Sequence, residues 1–110
     1  MHNDLIDQLH QKIAHGQFEF SEHAANQAIR RYIPLSEVRE ALLSGRMIED
    51  YPDDQYGPSC LILGHTSTGR PLHIQCSYPS RPSVKIITVY QPDPNRWNSD
   101  FTRRTRSDDS

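Results

Sequence analysis

One hundred and ten residues, 35% of them apolar and 24% charged, make one small domain. A chain of this size buries roughly 65% of its unfolded surface, enough for a single core, which excludes a second domain and a large doubly wound cofactor enzyme. The net charge of −2 is the sum of unlike halves: residues 1–55 carry five basic side chains against ten acidic ones, and residues 56–110 carry seven against four.

Residues 4–15 read as an amphipathic helix, with Leu5, Ile6, Leu9 and Ile13 at helical spacing and Gly16 closing it. Gln17 to Phe20 is a short alternating stretch suited to a brief strand. Ser21 is a good N-cap and Glu22 complements the dipole of a second helix, which carries Ala24, Ala25, Ala28, Ile29 and Tyr32 as its apolar stripe. Pro34 stops it. Ser36 is placed to cap a third helix with Val38, Ala41 and Leu42 inside, and Gly45 stands where a left-handed C-cap is wanted.

From Arg46 the period changes to two. Met47–Tyr51, Ser59–His65, Leu72–Tyr78 and Val84–Tyr90 read as strands, joined by turn-rich links at residues 52–58, 66–69 and 79–82. Links this short favour antiparallel neighbours. The expected fold is α+β: helices on one face of a four-stranded antiparallel sheet, five-stranded if Gln17–Phe20 joins it. Leu72, Ile74 and Cys76 alternate with His73, Gln75 and Ser77, so the sheet has an apolar and a polar face. On Val84–Tyr90 neither alternating set is clearly the wet one. Residues 1–97 form the domain, and the polar residues 98–110 read as a flexible tail.

The longest apolar run, Cys60-Leu61-Ile62-Leu63, is far short of the ~20 residues a membrane span needs. Met1-His2-Asn3-Asp4 lacks the basic and apolar regions of a secretory signal. A cytoplasmic chain without membrane contact is expected. Cys60 and Cys76 make no metal motif and read as two reduced thiols, near each other if their strands form a hairpin. The six histidines show no metal-ligand spacing, Asp53-Asp54 lacks the remainder of a calcium loop, and no phosphate loop or nucleophile elbow exists. No metal and no cofactor are expected.

Several short motifs in order carry a resemblance. They are Phe20-Ser21-Glu22-His23-Ala24 with Arg31 and Ile33 downstream, Leu35-Ser36-Glu37-Val38, the run from Gly45 to Pro52, Gly69-Arg70-Pro71-Leu72-His73-Ile74, and Ile87-Thr88-Val89-Tyr90 ahead of Trp97. Over about residues 18–98 the chain resembles the domain of unknown function 4258 family, which is similar to the BrnT-like and RelE/ParE-like toxins of bacterial toxin–antitoxin pairs. The resemblance implies helices on an antiparallel sheet of the RelE/BrnT-like kind, an antitoxin partner, and in the better-understood relatives metal-independent cleavage of messenger RNA. The chain departs from that pattern at Gln27, where many members have Arg, and at Tyr32, where many have Gly.

Metal-independent RNA cleavage needs a base for the 2′-hydroxyl, a cation for the phosphorane charge and an acid for the leaving oxygen. His23, Arg31 and His73 fit those roles in that order, with Tyr90 or Arg70 in support. His23, Gln27 and Arg31, at i, i+4 and i+8, share one stripe of the second helix. General-base work requires a neutral imidazole. Each residue has a structural reading too: His23 as a histidine packed at a helix start, Arg31 as a salt-bridge or carbonyl-binding residue, His73 as a half-buried sheet histidine, Tyr90 as packing. Trp97, between Arg96 and Arg103, Arg104 and Arg106, reads as a base-stacking platform, as a partner's hot spot, or as a cap over the edge of the last strand. Two functions stand side by side. One is a metal-independent endoribonuclease toxin. The other is a non-catalytic module that engages a protein partner or RNA through Gln27, Arg70, Trp97, Arg103 and Arg104; no direct DNA contact is expected.

Overall fold

A computed structural model describes residues 3–105. Three helices, α1 (Asn3–Ala14), α2 (Glu22–Arg30) and α3 (Leu35–Ser44), accompany five strands: β1 (Phe18–Phe20), β2 (Arg46–Tyr51), β3 (Ser59–His65), β4 (Pro71–Ser77) and β5 (Val84–Tyr90). The strands form one sheet in the order β1-β5-β4-β3-β2. The sheet is mixed. β2 to β5 are an antiparallel meander, but β1 pairs parallel with β5, Phe18 opposite Val84 and Phe20 opposite Ile86. Of the two strand counts allowed by the sequence, five holds rather than four, and the wholly antiparallel sheet is corrected at β1, which is parallel. Parallel pairing needs a long crossover, and here everything from α2 to β4 intervenes between β1 and β5.

The helices cover one face. Leu9, Ile13, Ala24, Val38, Ala41 and Leu42 meet Ile62, Leu72, Ile74, Cys76, Val84, Ile86 and Val89 in a single core, all at most 1% exposed. Burying a large aliphatic side chain contributes about 1.5–3 kcal/mol, so this layer dominates the stability. α3 lies against β3 so closely that a Cβ on Gly64 would overlap the Ala41 carbonyl.

The helix ends follow local chemistry with two exceptions. Ser21 is extended (φ −67°, ψ 161°) and its hydroxyl accepts from Ala24 N at 3.0 Å, the expected N-cap. Gly16 has a left-handed φ of 74°. The cap of α3, however, is Pro34 rather than Ser36; the Pro34 carbonyl accepts from Glu37 N at 3.0 Å and Val38 N at 3.2 Å. Gly45 is extended (φ −82°), not left-handed. Its small size is needed for packing, since a Cβ would strike Ile62 and the Ala41 carbonyl.

A bulge settles the ambiguous faces of β5. Gln75 pairs with Thr88 but Cys76 with Ile86, so Ile87 is an extra residue. Val84 and Ile86 point into the core before it and Val89 after it. Thr88 and Tyr90 thereby share the other face with Gln75 and His73. A second irregularity between Met47 and Glu49 sets Glu49 opposite Leu61, on that same polar face. Cys60 and Cys76 stand directly opposite each other, both buried and unbridged. Their mutual hydrogen bond, together with burial, pushes the Cys76 thiol well up. Among the described residues no helix is long and apolar enough to cross a membrane.

Candidate functional site

The residues that sequence reasoning placed in one site occupy two places. The first is the edge of β5 facing α2. β1 is only three residues long and covers β5 up to Ile86, with one further backbone bond from Ser21 N to the Ile86 carbonyl (2.9 Å). Beyond it the edge groups of β5 would stand unpaired. Side chains of α2 and its cap complete the ladder instead. The Ser21 hydroxyl donates to the Ile87 carbonyl (3.2 Å), Gln27 Oε1 accepts from Val89 N (2.9 Å) and an Arg31 Nη donates to the Val89 carbonyl (3.3 Å). Gln27 is 8% exposed. An amide can accept from a backbone N–H where a guanidinium, which only donates, cannot. That is the local consequence of glutamine, rather than arginine, at position 27.

Arg70 ties the same corner together. It donates to the carbonyls of Arg31 (3.2 Å) and Tyr32 (3.1 Å), to Gln91 Oε1 (2.9 Å) and to Glu37, with which it forms an ion pair at 2.8 Å. All of these fix the α2–α3 turn to the end of β5. His23, one turn before Gln27, is exposed and makes no hydrogen bond or ion pair with another described residue.

The second place is the polar sheet face. His73 is completely buried there. Its Nε2 donates to the Phe101 carbonyl at 2.8 Å, which leaves Nδ1 to accept from the Tyr90 hydroxyl at 3.2 Å. The His73 ring also meets Tyr90 and Trp97 edge-on, at centroid distances of 5.3 and 4.3 Å. Arg104 lies 4.8 Å over the Trp97 ring and forks onto Glu49, with nitrogen–oxygen distances of 3.0 and 3.2 Å. The Tyr51 hydroxyl donates to the same carboxylate.

Residues 93–105 supply the cover. Asn98 N donates to the Arg103 carbonyl (2.8 Å), Thr105 N to the Arg96 carbonyl (2.9 Å), and Trp97 bridges to Arg104. Phe101 turns the chain at a left-handed φ of 63°. Residues 98–105 of the segment set apart as a tail thus fold back over the sheet; residues 106–110, Arg106 among them, lie outside the described residues. Trp97 is 4% exposed, so it caps this face rather than standing free for a base or a partner. Arg103 is exposed.

Electrostatics match this enclosure. Burial lowers the His73 pKa below the ordinary histidine value, against the pull of the Phe101 carbonyl and Glu49. Burial raises the Glu49 carboxyl, but hydrogen bonds from Arg104 and Tyr51 outweigh it and hold the pKa below the usual range. Burial and the bond to Glu49 push Tyr51 up to about 12, and burial raises Tyr90. The result is a neutral imidazole beside an ion pair, with every hydrogen-bonding atom of the imidazole in use.

Sequence reasoning missed Glu49, Tyr51 and Phe101. Glu49 had no distinguishing signal, because Asp50 stands beside it in the same strand and only the register decides which of the two faces His73. Nothing in the sequence marks a backbone carbonyl as the partner of His73.

The family model described as domain of unknown function DUF4258 matches residues 20–91. The chain belongs to that family. The matched span runs from the last residue of β1 to the residue after β5, so the DUF4258 domain takes in α2, α3 and the antiparallel meander but leaves out α1 and the 93–105 cover. No curated protein and no solved structure matches the chain.

Proposed function

We propose that this DUF4258 chain is the toxin-like protein of a bacterial toxin–antitoxin pair, of the RelE/BrnT-like kind, and that it acts on RNA without a metal. The observation that carries the reading is His23: an exposed imidazole, uncommitted to any described partner, in the first turn of a helix laid along the sheet edge. A general base for a 2′-hydroxyl has to be reachable by substrate. His73, the candidate acid, is enclosed, and Arg31, the candidate cation, donates to a strand carbonyl, so of the three roles only that of the base, His23, is held by a side chain free of other bonds. In a chelator-treated assay the purified chain is expected to cleave RNA, and His23→Ala to slow it by about 10²-fold or more with an unchanged thermal melt. RNA left intact by the unsubstituted chain overturns the reading.

A second reading, a non-catalytic module that holds a protein partner, is favoured by one observation. Ile29, Tyr32 and Leu35 are 72%, 86% and 58% exposed. They flank an apolar groove of about 600 Å³ floored by Phe20, Ala25 and Ala28. Contiguous apolar surface of this kind marks interaction sites. Under this reading Ile29→Glu abolishes co-purification with a co-expressed antitoxin while leaving the melt unchanged.

A further inference from the structure

The polar face of the sheet is only half covered. Residues 93–105 close the end that carries His73, Tyr90 and Glu49. At the other end, beyond Gln75, the face opens into a cleft of about 330 Å³. Its floor is Gln75, Ser77 and Ile87, and one wall is the β2–β3 loop with Tyr56. Arg81 and Lys85 converge on it, from the β4–β5 link and the start of β5. Its volume falls at the small end of the range for small-molecule sites.

Three features of this cleft agree with one another. Neither Arg81 nor Lys85 forms an ion pair with a described carboxylate, although Glu19 is the strand neighbour of Lys85. The one carboxylate lining the cleft, Asp54, accepts from Tyr56 N at 3.0 Å and from the Ser59 hydroxyl at the start of β3 at 3.4 Å and pairs with neither cation, so the cleft holds two cations against one anion. Tyr56 is 86% exposed, an aromatic ring at the rim with nothing packed on it. Two uncommitted cations in a concavity attract a phosphate, and a free aromatic face accepts a base without regard to its identity. The α2 cap residue Ser21 also lines the cleft, so His23 follows two residues after one of its walls.

We propose that this cleft binds a phosphate-bearing nucleotide, with Arg81 and Lys85 on the phosphate and Tyr56 against the base. The inference deepens the RNA-directed reading and rests on it for the class of ligand. The nucleotide is either free or one unit of a single strand, and the two sources share this chemistry.

The test titrates the full chain with 5′-AMP, adenosine, inorganic phosphate and a short single-stranded oligoribonucleotide, followed by amide shifts and calorimetry. Expected are saturable shifts at Tyr56, Arg81 and Lys85 with 5′-AMP or the oligonucleotide. The Arg81→Ala/Lys85→Ala double variant is expected to weaken both by at least tenfold. Tyr56→Ala weakens the nucleotides by roughly tenfold but leaves inorganic phosphate unchanged. An oligonucleotide bound tenfold tighter than 5′-AMP assigns the site to a strand, and the reverse order to a free nucleotide. Folded variants that bind as the unsubstituted chain does overturn the proposal, as does inorganic phosphate bound as tightly as 5′-AMP. RNA cleaved at full rate by a double variant that also binds 5′-AMP as the unsubstituted chain does sinks the cleft and spares the cleavage reading. Specific binding without cleavage does the opposite.

Discussion

His73 shows how a residue type can suggest chemistry while its surroundings assign it to structure. Its two ring nitrogens are spent on the Phe101 carbonyl and the Tyr90 hydroxyl, and the ring is sealed by Trp97. Burial lowers its pKa in the folded chain, whereas in the unfolded chain it titrates near ~6.5. The unfolded state therefore binds the extra proton in the window between those two values. The stability that depends on neutral His73 is thus fully present above about pH 6.5 and is lost as pH falls through that value toward the folded pKa, by at most ~1.4 kcal/mol per pH unit. Urea unfolding between about pH 7.5 and 5 should show that slope, and His73→Asn should flatten it while lowering stability throughout. Tyr32 makes a second case at this scale. It has a left-handed φ of 56° and an exposed ring, and left-handed backbone costs a side-chain-bearing residue about 1–2 kcal/mol. Tyr32→Gly should raise the stability by about 1 kcal/mol net of the added freedom of the unfolded chain. A lower denaturation midpoint for that variant would contradict this account.

Among the elements, the least conventional is the edge of β5, where α2 finishes a ladder that β1 leaves short. Gln27 is the keystone, because its Oε1 is the acceptor for the buried Val89 N at 2.9 Å. Gln27→Ala leaves a buried N–H unpaired and should cost about 1–3 kcal/mol; Gln27→Glu, which retains the acceptor, should cost less. Hydrogen exchange checks the mechanism, since the Val89 amide should lose protection in the alanine variant before Ile74 does. The three helices and the four meander strands were legible in the sequence because their periods are long and their turn residues strong. Ser59–His65 and Val84–Tyr90 agree to the residue. The parallel β1 was not legible as such, because three residues carry a period but no direction, and the pairing is decided by where the chain returns. The faces of β5 were not legible either, since one bulged residue, Ile87, inverts the alternation after it. The same limit separated the candidate site residues. His23, Gln27 and Arg31 share a helix stripe, as spacing indicates, yet Gln27 and Arg31 turn to the strand edge while His23 stays in solvent.

The whole molecule has three layers rather than two: helices, sheet, and the 93–105 segment on the far side. The charge split between the halves of the sequence has a use in that third layer. Acidic Glu49 comes from the first half and Arg104 from the second, and their bidentate pair pins the cover to β2. The pair itself is weak, because Arg104 is 62% exposed and exposed ion pairs contribute at most about 1 kcal/mol. Most of the hold comes from Trp97 and from the hydrogen bond between His73 and Phe101. Arg104→Ala should accordingly change stability by less than about 1 kcal/mol. Trp97→Ala should cost about 3 kcal/mol or more, the range for truncating a buried aromatic. Ending the chain after Asn95 removes both and strips His73 of its cover. That truncation should bind a hydrophobic dye and unfold at a far lower urea concentration. Equal losses in the Arg104 and Trp97 variants would show that charge, rather than aromatic burial, fastens the third layer.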